Sequence, residues 1–577
     1  MNMRFLPIGI HAFNDIIQGD FVYVDKTRHI YDLVRPAKGM YFLARPRRFG
    51  KSLLISTLSH LFQGRRELFE NLWIERETNW DWSCKYPIIH LDMLRISSAN
   101  PQQLQLSLHH RLSHIAQKYG LQVPNNLPLP DRLDTLIGQL AQQGPPVVLV
   151  DEYDRPLVNH LGGKTDQQLA KNLEIAEANR DVLSDFYAVL KGQSGKLRFL
   201  LVTGVSKFAH VSIFSSLSNL DDISYSRDCA TLCGYTQQEL QENFAPHIDA
   251  LVQQQQQDRT TVLNRVRTWY DGYRFAADAQ PVYNPFSTLL LLKHREFDDY
   301  WFATGTPTFL TRLMERNKDI QPENLAHASV SRSAFQSYKL SELNSCLLPL
   351  MVQTGYLTLT GYDRATRRYT VDYPNQEVRT ALLESLIERY SHLPQGKAVT
   401  NLQQLIDALE QNDLEAFFVS LRSILADIPY RLHIPLERYY QTVFYLIHQL
   451  LGYQVHTEVQ TNIGRVDAVI DLAQHTYVFE FKLHPGRVTP SSKMQNQDTQ
   501  DELTDPVAQQ ERARALLQQH KSLANKALQQ IKEKHYADKY LGKSKPVTLV
   551  GAVFTVNTMQ GEPVRQVTAW VKEKLPI

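Results

Sequence analysis

Two groups of residues in this 577-residue chain have the types and spacing to act on phosphate. The first is Gly50-Lys51-Ser52, which follows the apolar run Met40–Leu43 and precedes a helical pattern. Backbone N–H groups of such a loop can surround phosphate oxygens, the lysine can reach the β- and γ-phosphates, and the hydroxyl can ligate Mg²⁺. A helix starting at this point adds the positive end of its dipole. The first glycine of the full G-x-x-x-x-G-K-[ST] pattern is replaced by Arg45. About a hundred residues on, PPVVLVDEYD (Pro145–Asp154) is an apolar run that ends in acids. A buried strand ending in carboxylates completes a magnesium–nucleotide device: Asp151 would hold the ion and Glu152 would polarise an attacking water.

The second group is Asp467, Glu480 and Lys482, in GRVDAVIDLAQHTYVFEFKL (Gly464–Leu483). Two β-type runs flank a short turn at Ala473–Thr476, with Asp467 on the first and Glu480 and Lys482 on the second. Residues two apart on a strand share a face, so Glu480 and Lys482 point together while Phe479, Phe481 and Leu483 point the other way. Charges on an otherwise apolar strand require partners or a metal. Asp467 and Glu480 would coordinate Mg²⁺, with Mn²⁺ as the alternative. Lys482 would orient or deprotonate the attacking water, or stabilise charge on phosphorus. Upstream, Glu437 lies on an amphipathic helical pattern, LERYYQTVFYLIHQLL, that leads into a strand at Tyr453–Gln460.

The elements that must carry these residues read as α/β. Residues 1–235 alternate short apolar runs (Met40–Leu43, Pro87–Leu91, Val147–Val150, Phe199–Thr203) with helical patterns, which predicts a parallel sheet. Residues 236–400 read as a mainly helical linking region, with aromatic clusters at Trp269–Phe275 and Tyr300–Gly305 whose spacing dictates no chemistry. Residues 401–577 read as helix, three strands, a polar insertion at 484–521, helix and strand. The insertion's Gln, Asp, Ser and Lys content allows its first half to be disordered. After the strand at Phe199, Thr203, Ser206 and Lys207 are either γ-phosphate sensors or ordinary turn residues. Beyond the insertion, Gln530 could touch the carboxylate site or a phosphate backbone. Lys532, Lys534 and Lys539 are phosphate contacts or a solvated helix face.

Composition narrows the class. Hydrophobic residues make up 43% and charged residues 21%, and the formal net charge is +2. The whole surface is therefore not that of a strongly basic nucleic-acid binder, and any such contact has to be local. Four cysteines give no disulfide framework, and Cys229 and Cys233 lack the second pair of a zinc site. No stretch reaches the roughly 18 apolar residues of a membrane span, and no signal-type segment opens the chain, so the expectation is a cytoplasmic protein.

The strings YVDKT (Tyr23–Thr27), RPRRFGKSL (Arg45–Leu53), LVDEYDRPL (Leu149–Leu157), VTGVSKF (Val202–Phe208), WYDGYRF (Trp269–Phe275) and VYNPFSTL (Val282–Leu289) resemble the bacterial AAA-ATPase-like family. Its members pair a P-loop NTPase region with a C-terminal, restriction-endonuclease-like PD-(D/E)XK nuclease domain. The resemblance covers nearly the whole chain. It makes Arg45-Pro46-Arg47-Arg48 the family's own form of the loop and marks Arg47, Arg48, Phe49, Gly50, Lys51, Ser52, Asp151 and Thr203 as nucleotide-binding. It implies ATP and Mg²⁺ as cofactors and nucleic acid, with DNA preferred, as partner. It also places Glu437 near the metal, Gln530 and Lys532 near nucleic acid, and favours a homo-oligomer. The helix bearing Glu437 departs from the family at Leu436, where histidine is expected. The implied function is an ATP-gated nuclease, of use in defence or on mobile elements. The alternative is a nucleotide-dependent switch or scaffold that binds nucleic acid without cutting it.

Overall fold

Val, Leu, Ile and Phe dominate four short runs of the first third of the chain, and these runs become adjacent strands. The structure, a computed structural model, describes residues 3–163, 165–207, 220–301, 325–335, 347–391, 404–405, 407–426, 454–461, 464–472, 474–485, 506–540, 545–559 and 562–575. Contacts divide it into two units, Met1–Asn317 with Asn324–Ala381, and Lys318–Glu323 with Leu382–Ile577.

The first unit is built on a five-stranded sheet of β1 (Gly39–Ala44), β2 (Ile88–Asp92), β3 (Val147–Asp151), β4 (Phe199–Gly204) and β5 (Asp221–Asp222), in the order β2-β3-β4-β1-β5. Every pairing is parallel, with β4 inserted between β1 and β3. All residues of β3 and β4 are buried, as strands covered on both faces must be. The helices α1 (Phe13–Gln18), α2 (Thr27–Val34), α3 (Lys51–Phe62), α4 (Pro101–Lys118), α5 (Leu129–Leu140) and α6 (Asp166–Gly192) accompany the sheet. In consequence the loop after β1 and the acids after β3 emerge at the same, C-terminal edge, with only β4 between them.

The middle segment packs as part of this unit. It comprises α7 (Gln237–Asn243), α8 (Ala245–Gln255), α9 (Arg259–Tyr270), α10 (Pro285–His294), β6 (Ala328–Ser331), α11 (Leu347–Thr354), β7 (Thr358–Asp363), β8 (Arg368–Asp372) and α12 (Gln376–Ser391). Its helices start on local signals. Thr236 and Glu239 form a capping box, and Asn284 accepts from the backbone N–H groups of Phe286 and Ser287, with Pro285 at the first helical position. After α10 the described residues hold strands beside the helices α11 and α12. There β6, β8 and β7 form a three-stranded antiparallel sheet, whose short polar strands give a weak period-two signal.

The second unit has α13 (Leu414–Ala426), β9 (Gln454–Thr461), β10 (Gly464–Asp471), β11 (Thr476–Pro485), α14 (Pro506–Glu533), β12 (Val547–Met559) and β13 (Glu562–Leu575). The sheet order is β13-β12-β11-β10-β9, antiparallel except for the β11–β12 pair. Two features correct the sequence reading. The second half of the supposed insertion is helical: α14 begins at Pro506 and ends at Glu533. A further strand, β13, closes the sheet beyond β12. On one face, Phe417 and Phe418 of α13 meet Phe479 and Trp570. On the other, Leu528 and Ile531 of α14 pack with Val469, Val478, Val547 and Leu549. The approach of α14 is set by Gly551. A Cβ there would lie 2.2 Å from the Ala524 carbonyl oxygen and 2.7 Å from the Leu528 nitrogen. Gly551 pairs with Glu480 in the ladder, so this close contact brings the helix down over the carboxylate. Among the described residues no helix is long and apolar enough to cross a membrane.

Replacing Gly551 by valine should push α14 off the sheet and destabilise the second unit by about 2 kcal/mol or more. Thermal unfolding should show that loss.

Candidate functional site

Arg45, the residue where a glycine was expected, is buried and acts as a bolt. Its guanidinium donates to the carbonyls of Ala44 (2.9 Å), Ser224 (2.7 Å) and Cys229 (2.8 Å), and it lies 3.9 Å over the Phe275 ring. It thereby fixes the start of the loop to the edge of the sheet. Arg48 takes a positive φ of 67° and stacks 4.6 Å over Phe286. Phe49 is buried edge-on against Tyr273 and Phe275, with centroids 4.8 and 5.4 Å away. The Arg47 carbonyl accepts the indole N–H of Trp301 at 3.1 Å. Gly50, at φ 91°, occupies the left-handed region that glycine enters without strain, and it caps α3. The first amides of α3 therefore face outward with no side-chain cap, an arrangement ready for an anion.

Lys51 is buried and donates to the carbonyls of Arg45 (3.0 Å) and Pro46 (3.1 Å), and it stands 3.7 Å from Glu152. Asp151 is also buried and accepts the Thr203 hydroxyl at 2.7 Å. Glu152 has a positive φ of 57°, rare for this residue type and costly unless its surroundings enforce it. Burial raises its carboxyl above the ordinary range, and Lys51 pulls it back. Lys51, Glu152, Asp151 and Thr203 thus form a chain of contacts at the mouth of the loop. Of the other polar residues after β4, Ser206 is spent on Asp154 and Lys207 on Asp222 and the Tyr225 face, 4.5 Å away. The turn reading therefore holds for those two, while Thr203 joins the site.

The backbone of the loop also walls a mainly apolar recess. Phe49, Gly50 and Leu53 form one side; Val22, Tyr23 and Tyr235 are among the residues opposite. The recess is lined from separated stretches, among them the YVDKT and RPRRFGKSL strings. The YVDKT string builds the far wall: Asp25 accepts from Thr27 and from the Trp73 amide, and Lys26 is ion-paired to Glu239 at 2.7 Å.

In the second unit, Glu480, Lys482, Asp467 and Gln530 converge. Asp467 neighbours the Ala468–Phe479 pair, and one of its carboxylate oxygens accepts the Phe481 amide at 2.8 Å. Lys482 lies 3.4 Å from Glu480 and donates to the Gln530 side chain at 2.6 Å, and Gln530 donates in turn to Glu480. Glu480 is 3% exposed, and its second oxygen has no hydrogen-bond partner among the described residues. Burial first, and then Asp467, pushes its carboxyl up to about 7 despite Lys482. Lys532 points elsewhere, into an exposed ion pair with Glu573 at 2.5 Å. Glu437 lies outside the described residues.

This donor set suits Mg²⁺. Mg²⁺ keeps several waters and takes only one or two carboxylates. The described residues here offer two carboxylates, one of them with a buried oxygen in need of a partner, and no group of three or more His, Cys, Asp or Glu side chains is gathered anywhere among them. For the nucleotide-free protein, Mg²⁺ affinity at this site should climb about tenfold per pH unit below about 7 and level off above it, since the ion competes with the Glu480 proton. Calorimetry in buffers of different ionisation enthalpy should register proton release near pH 6 that vanishes in Glu480→Gln.

Comparison with known proteins identifies the family. The model of a family described as predicted AAA-ATPase matches residues 7–214, and that of the PD-(D/E)XK nuclease superfamily matches residues 436–562. An uncharacterized protein from the vnfD 5′ region of Azotobacter chroococcum mcd 1 is 36% identical over 590 residues, covering 100% of both chains. The crystal structure of Cdc6p from Pyrobaculum aerophilum aligns at 14% identity and a TM-score of 0.22, over 65% of this chain and 91% of that one. With both halves matched and a full-length relative at this identity, the chain belongs to the bacterial family that joins an AAA-ATPase-like domain to a C-terminal domain of the PD-(D/E)XK nuclease superfamily.

Proposed function

We propose that the protein is an ATP-binding hydrolase that uses Mg²⁺ to cut phosphodiester bonds in nucleic acid, DNA in the first instance, under control of its nucleotide site. The observation that carries this reading is Glu480: a buried carboxyl beside Asp467 with an unmatched oxygen, bracketed by Lys482 and Gln530. An acid so placed is costly unless a cation or proton completes it. Asp467 and Glu480 would hold the ion, which when bound supplies charge stabilisation on the phosphodiester. Gln530 fixes the Lys482 amine, and that amine can orient the attacking water or neutralise charge growing on phosphorus.

In the first unit, the Lys51 amine is held by loop carbonyls and can exchange them for phosphate oxygens. Ser52 and Asp151 would hold Mg²⁺, whose bound form would neutralise phosphate charge. Thr203 orients the Asp151 carboxylate, and Glu152 is placed to accept a proton from water as Lys51 turns to phosphate. The apolar recess next to Gly50 suits the base of the nucleotide. Supporting evidence is the coincidence of two phosphate-directed sites in one chain.

Two measurements test the reading. In a cleavage assay on plasmid and single-stranded DNA and on RNA with Mg²⁺ or Mn²⁺, Glu480→Ala and Lys482→Ala should each lose at least about a hundredfold in rate. Lys51→Ala should lose the response to ATP. Activity that survives in Glu480→Ala sinks the nuclease assignment and leaves a nucleic-acid-binding switch. In equilibrium binding, ATP should outcompete inorganic tripolyphosphate by at least about tenfold, because the latter cannot fill the recess; equal affinity would remove the base from it.

A further inference from the structure

Glu377 is 0% exposed, lies in the first turn of α12, and belongs to neither group of residues with a chemical role above. One of its oxygens accepts the backbone N–H of Trp301 at 2.7 Å and the Ser287 hydroxyl at 2.9 Å. Its other oxygen is buried without a hydrogen-bond partner among the described residues. Each contact leads to a different residue of the phosphate loop. The Trp301 indole donates to the Arg47 carbonyl. Phe286, adjacent to Ser287, carries the Arg48 guanidinium on its ring. Tyr273, buried within range of the Glu377 charge, packs edge-on against Phe49. Gly355, at φ 93°, completes the support, since a Cβ there would come within 2.8 Å of Pro46 and 3.3 Å of Trp301. Three consecutive loop residues are therefore held from behind by Trp301, Phe286 and Tyr273; Glu377 anchors the first through its backbone N–H and the second through the neighbouring Ser287 hydroxyl, and its charge reaches the third.

We propose that Glu377 is a positioning residue for nucleotide binding, holding Arg47, Arg48 and Phe49 in their phosphate-receiving arrangement through Trp301, Ser287–Phe286 and Tyr273. The proposal rests on the nucleotide-site reading and adds its control point. The groups facing Glu377 are Asp299 and Tyr300, before Trp301, and Tyr270 and Tyr273 of the WYDGYRF string. Burial raises all three tyrosines, so they stay neutral in the physiological range. Burial likewise pushes the Glu377 carboxyl up to about 8, the Trp301 and Ser287 hydrogen bonds only partly opposing it. The support is thus assembled around a neutral carboxyl below about pH 8. Above that value a bare negative charge appears in it, facing Asp299.

The test is ATP–Mg²⁺ binding to the full-length protein from pH 6.5 to 9.5, with thermal unfolding of each variant alongside. Glu377→Ala, which removes the acceptor, should bind ATP at least about tenfold more weakly at pH 7. Glu377→Gln keeps a neutral acceptor and should match the wild type at pH 7. Wild-type affinity should decline as pH rises through about 8, while Glu377→Gln stays flat across that step. Trp301→Phe, which drops only the bond to Arg47, should weaken binding severalfold with its unfolding midpoint little changed. Identical pH profiles for wild type and Glu377→Gln overturn the proposal, as does wild-type affinity in a folded Glu377→Ala. The control separates the two levels: if Lys51→Ala also binds ATP normally, it is the underlying nucleotide site that fails.

Discussion

A charge withdrawn from water has to be matched, and this requirement shapes both functional regions of the protein. Arg45 meets it with three carbonyls and an aromatic face, Asp154 with the amides and hydroxyl that follow β4, and Lys51 with carbonyls of its own loop. Asp154 and Lys51 are matched by the fold itself, while the Arg45 Nε stays without a hydrogen-bond partner among the described residues. Glu480 meets the requirement only in part. What sets Glu480 apart from Arg45 and Glu377, which also keep an unmatched buried atom, is the second carboxylate, Asp467, beside it.

The nucleotide loop illustrates the same economy in backbone form. Arg48 and Glu152 both take left-handed conformations that their side chains disfavour, and both lie at the C-terminal edge of the sheet. Such conformations persist where neighbouring structure over-determines them. The aromatic residues of the middle segment supply that determination by packing against residues 47–49. The role of the WYDGYRF and NPFSTL strings is therefore mechanical: they brace the turn at residues 47–49, to which they do not belong.

Much of this was legible from residue order. The four buried strands of the first sheet stand within a residue or so of their apolar runs, because a strand covered on both faces has no choice but to be apolar. Glu480, Lys482 and Asp467 were recoverable because strand periodicity fixes which residues share a face. Gln530 followed from the helix placed after the insertion. The rest depended on tertiary partners. Nothing local distinguishes Lys532, paired with Glu573, from a phosphate-contacting lysine. The short strands β6–β8 carry too few apolar residues to announce themselves. Glu377 had one faint signal, an acid at the head of an apolar helical run (QEVRTALLESL), which is also what an ordinary helix start looks like. The structural use of Arg45 could not be read at all, since its three acceptors lie up to 184 positions away.

The helix α14 spans 28 residues, about 42 Å, yet residues 514–519 are all exposed and burial against the sheet begins at His520. The part that carries Gln530 is seated on Gly551, and the preceding turns project beyond the fold. Changes of length between β11 and His520 would consequently be absorbed by this overhang, leaving the register of Gln530 against Glu480 undisturbed.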